Sequence, residues 1–120
     1  MSDHKFREAF KELIIKYICP VCGYDQIESQ PYDIYGNGSH DICDCCGFEF
    51  GYSEDFEVSH KSIKLPYSSL DWAFSRYREA WLENGAEIFM EEYYPSEFNK
   101  NGYVKKDILE SQLLRINIKV

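Results

Sequence analysis

The sequence predicts an α+β fold in which a small metal ribbon is packed with an N-terminal helix and C-terminal helices. Three observations predict it. Two cysteine clusters, Cys19-Pro20-Val21-Cys22-Gly23 and Cys43-Asp44-Cys45-Cys46-Gly47, stand 20 residues apart. Apolar residues recur at helical spacing before and after them. Between the clusters lie turn residues and short alternating stretches rather than helical periodicity.

Read together, the clusters give C-x2-C-x20-C-x2-C, a spacing that signals a four-cysteine metal site. Two residues between thiolates let both sulfurs reach one ion at about 2.3 Å in a tetrahedral shell. The glycine after each second cysteine permits a positive φ, so the turn closes tightly around the metal. Cys19, Cys22, Cys43 and Cys46 are the expected ligands, and Zn2+ is the expected structural ion, with iron as the alternative for the same thiolates. Cys-Pro-x-Cys is also a thiol–disulfide pattern, but that chemistry needs the motif at a helix N-terminus. The turn-rich residues after Gly23 do not open a helix, and the second cluster would be left over. A disulfide framework would leave one of five cysteines unpaired. Cys45 is the extra thiol: a packed small hydrophobe, an alternate ligand or a reactive group. His40, close to the second cluster, is the alternative nitrogen ligand.

The elements follow in chain order. Residues 2–17 read as an amphipathic helix, with Phe6, Phe10, Leu13, Ile14 and Tyr17 on one face and Ser2 or Asp3 as cap. The ribbon spans 18–56. Gln26 to Ile34 is the expected first strand, with Pro31 marking an edge or a break. Tyr35-Gly36-Asn37-Gly38 is the turn, and His40-Asp41-Ile42 returns to the second knuckle. Phe48, Phe50 and Tyr52 alternate onto one face that either docks the ribbon on the helices or offers a binding surface. A polar connector carries Glu54, Asp55, Glu57 and His60. It lacks the glycine and ligand pattern of a calcium loop. The helical part spans 67–120. Its first helix starts near Ser68 or Ser69, carries Leu70, Ala73, Phe74, Tyr77 and Trp81 on one face, and stops at Asn84-Gly85. Residues 86–94 suit a further helical turn or two before Pro95, and Asn101-Gly102 marks a turn. A last helix covers about Lys106 to Leu114, and the alternating tail through Val120 suits helix or strand.

At 120 residues, 44% hydrophobic and 17% aromatic, the chain is expected to form a single folded domain without a membrane span. Met1-Ser2-Asp3-His4-Lys5 lacks the apolar region of a signal peptide, so a cytoplasmic protein with reduced cysteines is expected. The net charge of −8 is concentrated: no lysine or arginine lies between Lys16 and Lys61, where Asp25, Glu28, Asp33, Asp41, Asp44, Glu49, Glu54, Asp55 and Glu57 occur. Such a ribbon repels a phosphate backbone, which argues against nucleic acid. Catalysis is not expected either. A catalytic zinc keeps an open position that four thiolates would close, and no HExxH, phosphate loop or nucleophile elbow is present.

Cys-Pro-Val-Cys-Gly-Tyr at 19–24 and Ile-Cys-Asp-Cys-Cys-Gly-Phe-Glu-Phe-Gly at 42–51 resemble a family of small bacterial cysteine-rich proteins named for a Cys-Pro-Cys-Cys motif (CPCC-like). Tyr77-Arg78-Glu79-Ala80-Trp81 with Gly85 resembles the helix that follows the ribbon in that family. Asp44 stands where the motif has proline. The resemblance implies a zinc ribbon with rubredoxin-like knuckles. Similar proteins are often encoded beside secreted toxins, which implies an immunity role. The expected function is therefore protein–protein binding to a basic partner, a toxin being one such partner. The candidate contact residues are Phe50, Tyr52, Glu54, Asp55 and Glu57. A rubredoxin-like iron electron carrier is the alternative.

Overall fold

A computed structural model describes residues 15–54 and 69–119. It is α+β: helix α1 spans Ser69–Glu83, strands β1 (Asn99–Lys100) and β2 (Tyr103–Val104) form an antiparallel hairpin, and helix α2 spans Lys106–Arg115. A short 3-10 turn, Ser96–Phe98, precedes the hairpin. The ribbon forms no continuous strand among the described residues. Isolated antiparallel bridges hold it instead, joining Tyr17 to Ile27, Tyr32 to Gly38 and Ile42 to Glu49.

These bridges correct three expectations. Most of the N-terminal helix lies outside the described residues, but its expected last residue, Tyr17, is extended and exchanges both backbone hydrogen bonds with Ile27 at 2.8 and 3.0 Å. The strand over 26–34 shrinks to single paired residues on either side of Pro31, which has no N–H to donate. The return strand fails at His40, whose φ of 68° lies in the left-handed region and breaks the extended run. The expected turn is present and begins slightly earlier. Asp33 Oδ1 accepts the backbone N–H groups of Tyr35 and Asn37, both at 2.9 Å, and so folds the loop around its own carboxylate.

Helix α1 follows its pattern closely. Ala73, Phe74 and Trp81 are buried, with Leu70 and Tyr77 packed against them. Asp71 lies in the first turn, where the helix dipole favours an acid. At the other end the Ala86 N–H reaches the Trp81 carbonyl and the Gly85 N–H reaches Leu82, at 2.9 and 3.0 Å. This pair of bonds is a Schellman stop, with Gly85 in the left-handed conformation at φ 91°. Helix α2 ends in the same way. Ile118 donates to Leu113 and Asn117 to Leu114, with Asn117 at φ 63°. The alternating tail begins inside α2, at Leu114 and Arg115, and the cap then turns the chain out, so 116–119 is neither helix nor strand. Residues 86–94 are also not helical. Glu87 bridges Tyr103, adding a third segment beside the hairpin, and turns follow it. The hairpin turn itself is Asn101-Gly102, with φ of 57° and 92°, as Asn-Gly permits.

One buried cluster joins ribbon and helices. Phe48 lies at its centre, with ring centroids 5.6 Å from Phe50, 5.5 Å from Phe74 and 5.0 Å from Tyr77. Each such aromatic contributes about 1.5–3 kcal/mol by burial and somewhat more from edge-to-face contact. Phe48 and Phe50 therefore dock the ribbon onto α1. Tyr52, on the same alternation, stays 54% exposed.

Helix α2 docks so tightly on the first knuckle that a Cβ at Gly23 would fall onto the backbone carbonyl of Gln112. Gly36 has a similar φ, 85° against 82°, yet a Cβ there meets nothing within 4 Å. Gly36→Ala should therefore cost only the backbone penalty of about 1–2 kcal/mol. Gly23→Ala should cost about 3 kcal/mol or more, because it also pushes α2 off the knuckle. Urea unfolding of the two metal-loaded variants measures the difference, and equal costs would mean that α2 does not sit there.

Candidate metal centre

The two knuckles are built alike. Gly23 N–H donates to the Cys19 carbonyl at 2.9 Å and Cys19 N–H to Tyr24 at 2.7 Å. In the second knuckle Gly47 donates to Cys43 at 2.8 Å and Cys43 to Phe48 at 2.9 Å. Gly23 and Gly47 share a φ of 82°. The closed turns point both cysteines of each knuckle inward, and the Val21 N–H approaches Cys19 Sγ at 3.4 Å.

The result is a group of four. The Sγ atoms of Cys19, Cys22, Cys43 and Cys46 all lie within 4.8 Å of one another, and all four residues are buried. Across the knuckles, Cys22 and Cys43 stand 3.6 Å apart and Cys19 and Cys46 3.9 Å. A tetrahedron with metal–sulfur bonds of about 2.3 Å has edges of about 3.8 Å. The same separations are nearly twice the disulfide bond length of about 2.05 Å, and the cysteines are free thiols. The first Cys-x-x-Cys lies in a turn rather than at a helix N-terminus. The sulfurs fit a metal ion.

Electrostatics reinforces the fit. Burial opposes ionisation at Cys19, Cys22 and Cys46. Burial, and after it the thiols of Cys19 and Cys43, push Cys22 and Cys46 well above the ordinary thiol range. Burial also acts against Cys19, but hydrogen bonds from Cys22, Cys43 and Cys46 outweigh it and hold that thiol low. Packing buried thiols this closely disfavours several thiolates at once, and a bound cation is what would let them ionise together. Burial raises the phenol pKa of Tyr77, and the thiols beside it raise it further, so Tyr77 stays a neutral donor to the Cys46 carbonyl at 2.9 Å.

Both helices clamp the first knuckle through its backbone. From α1, Arg78 Nε donates to the Val21 carbonyl at 2.6 Å and its terminal nitrogen to Pro20 at 3.1 Å. Burial lowers the Arg78 pKa, while Cys19, Cys22 and Cys46 favour its charged form. A guanidinium stays charged in such surroundings, so it partly offsets thiolate charge. From α2, Arg115 donates to the Gly23 carbonyl at 3.0 Å and pairs with Asp25 at 3.5 Å. Gln112, 2% exposed, donates to the Cys22 carbonyl at 3.2 Å and accepts from Tyr94 at 2.6 Å. The second knuckle is held by residues 89–90, whose N–H groups donate to Cys45 and Asp44 at 3.0 and 2.9 Å.

Sequence reasoning does not reach these supporting residues. Gln112 carries the readable signal, a polar residue on the apolar face of α2, four residues after Ile108. Arg78 was visible only as part of the stretch 77–81.

Cys45 stands outside the four. Its Sγ is buried and lies 3.5 Å from Gln112 Nε2, packed as a small side chain between the knuckle and α2. His40 is not in the group, and among the described residues no other set of His, Cys, Asp or Glu is gathered closely enough to hold an ion. Of the candidate contact residues, Phe50 is fully buried and so cannot meet a partner. Glu54 is 7% exposed and accepts a 2.6 Å hydrogen bond from Tyr32, whose phenol burial and Glu54 together push up. A lysine at 54 would strand both groups, so Glu54 supports the core instead of lining a surface. Tyr52 is exposed, and Asp55 and Glu57 lie outside the described residues.

Two proteins of Bacillus subtilis (strain 168) are similar to this chain. YoaQ, described as an uncharacterized protein, is 39% identical over 105 residues, covering 87% of this chain and 89% of YoaQ. The chain belongs to the YoaQ family. An alignment of that span takes in Cys19 through Cys46 wherever it begins. YozI, likewise described as uncharacterized, is 38% identical over 104 residues, 85% of this chain and 86% of its own. No family model and no solved structure matches the chain.

Because only Cys46 completes a Cys-x-x-Cys pair with Cys43, the two adjacent thiols should behave differently. Cys45→Ser should retain about one metal ion per chain, whereas Cys46→Ser should lose most of it. Metal content by mass spectrometry of the purified variants checks this, and the reverse order would reassign the ligand.

Proposed function

We propose that the protein is a non-catalytic zinc ribbon whose metal holds together a scaffold for binding a basic protein. The closed, buried set of four thiolates carries this reading. A catalytic ion needs an open coordination position, and this shell offers none once filled. Zn2+ suits four thiolates in tetrahedral array and needs no redox partner. The acidic ribbon supplies the binding half, since a one-signed surface steers an oppositely charged partner to it. Toxin neutralisation is one form of such binding, supported by the resemblance to the Cys-Pro-Cys-Cys proteins. The same shell would also hold iron, so the rubredoxin-like carrier remains the rival reading.

A structural zinc contributes about 10–16 kcal/mol of apparent binding energy, comparable to a domain's whole stability of about 5–15 kcal/mol. Protein produced with both metals available should carry one zinc per chain and be colourless, and a strong chelator should unfold the ribbon as followed by near-UV circular dichroism. A coloured, iron-loaded protein would replace this reading with electron transfer. Retention of the fold after complete metal removal would end the structural role. Association with a basic partner should slow as salt shortens the Debye length below about 10 Å.

A further inference from the structure

Beside the first knuckle runs a groove of about 530 Å³ that is not part of the metal centre. Its apolar side is Tyr24, Ile27 and Ile42, and Tyr93 with Pro95 forms part of its lining. Glu28, Asp41 and Asp44 bring three carboxylates to it, and among the described residues Lys16 is the single cation that lines it. Lys16 is committed to Glu28, at 3.7 Å. The side chains of Asp41 and Asp44 have no hydrogen-bond or ion-pair partner among the described residues. Two large apolar residues stay open at this place, Ile42 at 44% and Tyr93 at 64% exposure.

We propose that this groove receives an arginine side chain presented by a partner protein. The inference rests on the binding-module reading and names where and by what chemistry the partner engages. Charge complementarity selects a cation, since among the described residues two uncommitted carboxylates face the groove and its one basic group, Lys16, is paired with Glu28. The apolar and aromatic lining selects arginine over lysine. A guanidinium is weakly hydrated, bonds two acceptors through its planar fork and stacks on an aromatic face, whereas a compact ammonium gives up more hydration to enter such a groove. The aliphatic stem of arginine packs on Ile42 while its head meets the acids.

The test uses the full-length, metal-loaded protein labelled with 15N. It is titrated with acetyl-Gly-Arg-Gly-amide and with the same peptide carrying citrulline or lysine instead of arginine. The arginine peptide should shift the amide signals of Ile27, Ile42, Asp44 and Tyr93, and the citrulline peptide should bind about tenfold more weakly or worse. Asp41→Asn should weaken arginine binding about three- to fivefold. Tyr93→Ala should weaken it to a similar extent through the lost stacking. Both variants should keep wild-type metal content and melting, since Asp41 and Tyr93 make their backbone hydrogen bonds in any case. Equal binding of the arginine and citrulline peptides would overturn the proposal. So would equal shifts with calcium or spermidine, which would make the groove a general cation site. Shifts confined to the exposed turn at Ile34 and Tyr35 would remove the groove while leaving the acidic ribbon as a binding surface.

Discussion

Four sulfurs buried within 4.8 Å of one another cannot all ionise unless a cation lies among them. That constraint organises the rest of the molecule. The ribbon is poor in ordinary secondary structure, with single bridges where strands were expected. Isolated bridges of this kind provide few of the ladder hydrogen bonds that stabilise a sheet. The two knuckles take over that role, because each closes its own turn with two backbone hydrogen bonds and donates two sulfurs to a common centre.

The helices respond to the same constraint from outside. Arg78 and Arg115 reach the carbonyls of the first knuckle, and Tyr77 and Gln112 reach those of Cys46 and Cys22. Among the described residues these carbonyls, buried or partly so, accept no other hydrogen bond. Orientation of the ligands and satisfaction of the buried backbone are thus a single arrangement. Removing the ion would loosen the contact surface on which both helices rest.

Much of this was legible in the residues. The grouping of the four cysteines follows from spacing and glycine, and α1 from apolar periodicity with its end from Asn84-Gly85, while the last helix, expected over about Lys106 to Leu114 with Asp107 early in it, spans Lys106–Arg115. What was not legible has physical causes. A positive φ at His40 broke the expected return strand, and nothing in a histidine announces it. Residues 86–94 have an apolar content that suits a helix, but Glu87 pairs with Tyr103 in the tertiary structure and that pairing prevails. Alternation placed Phe50 and Tyr52 on one face, yet only Phe50 reaches the core, and Glu54 turned inward to meet Tyr32. A buried acid is invisible to a reading that treats charge as surface.

The most direct measurement of the central claim is the metal's coordination shell by X-ray absorption on the purified, full-length protein. The account predicts four sulfur neighbours at about 2.3 Å and no nitrogen or oxygen in the first shell. A shell containing nitrogen or oxygen, or fewer than four sulfurs, would contradict it, because the centre would then be open and the four buried cysteines would not act as one site.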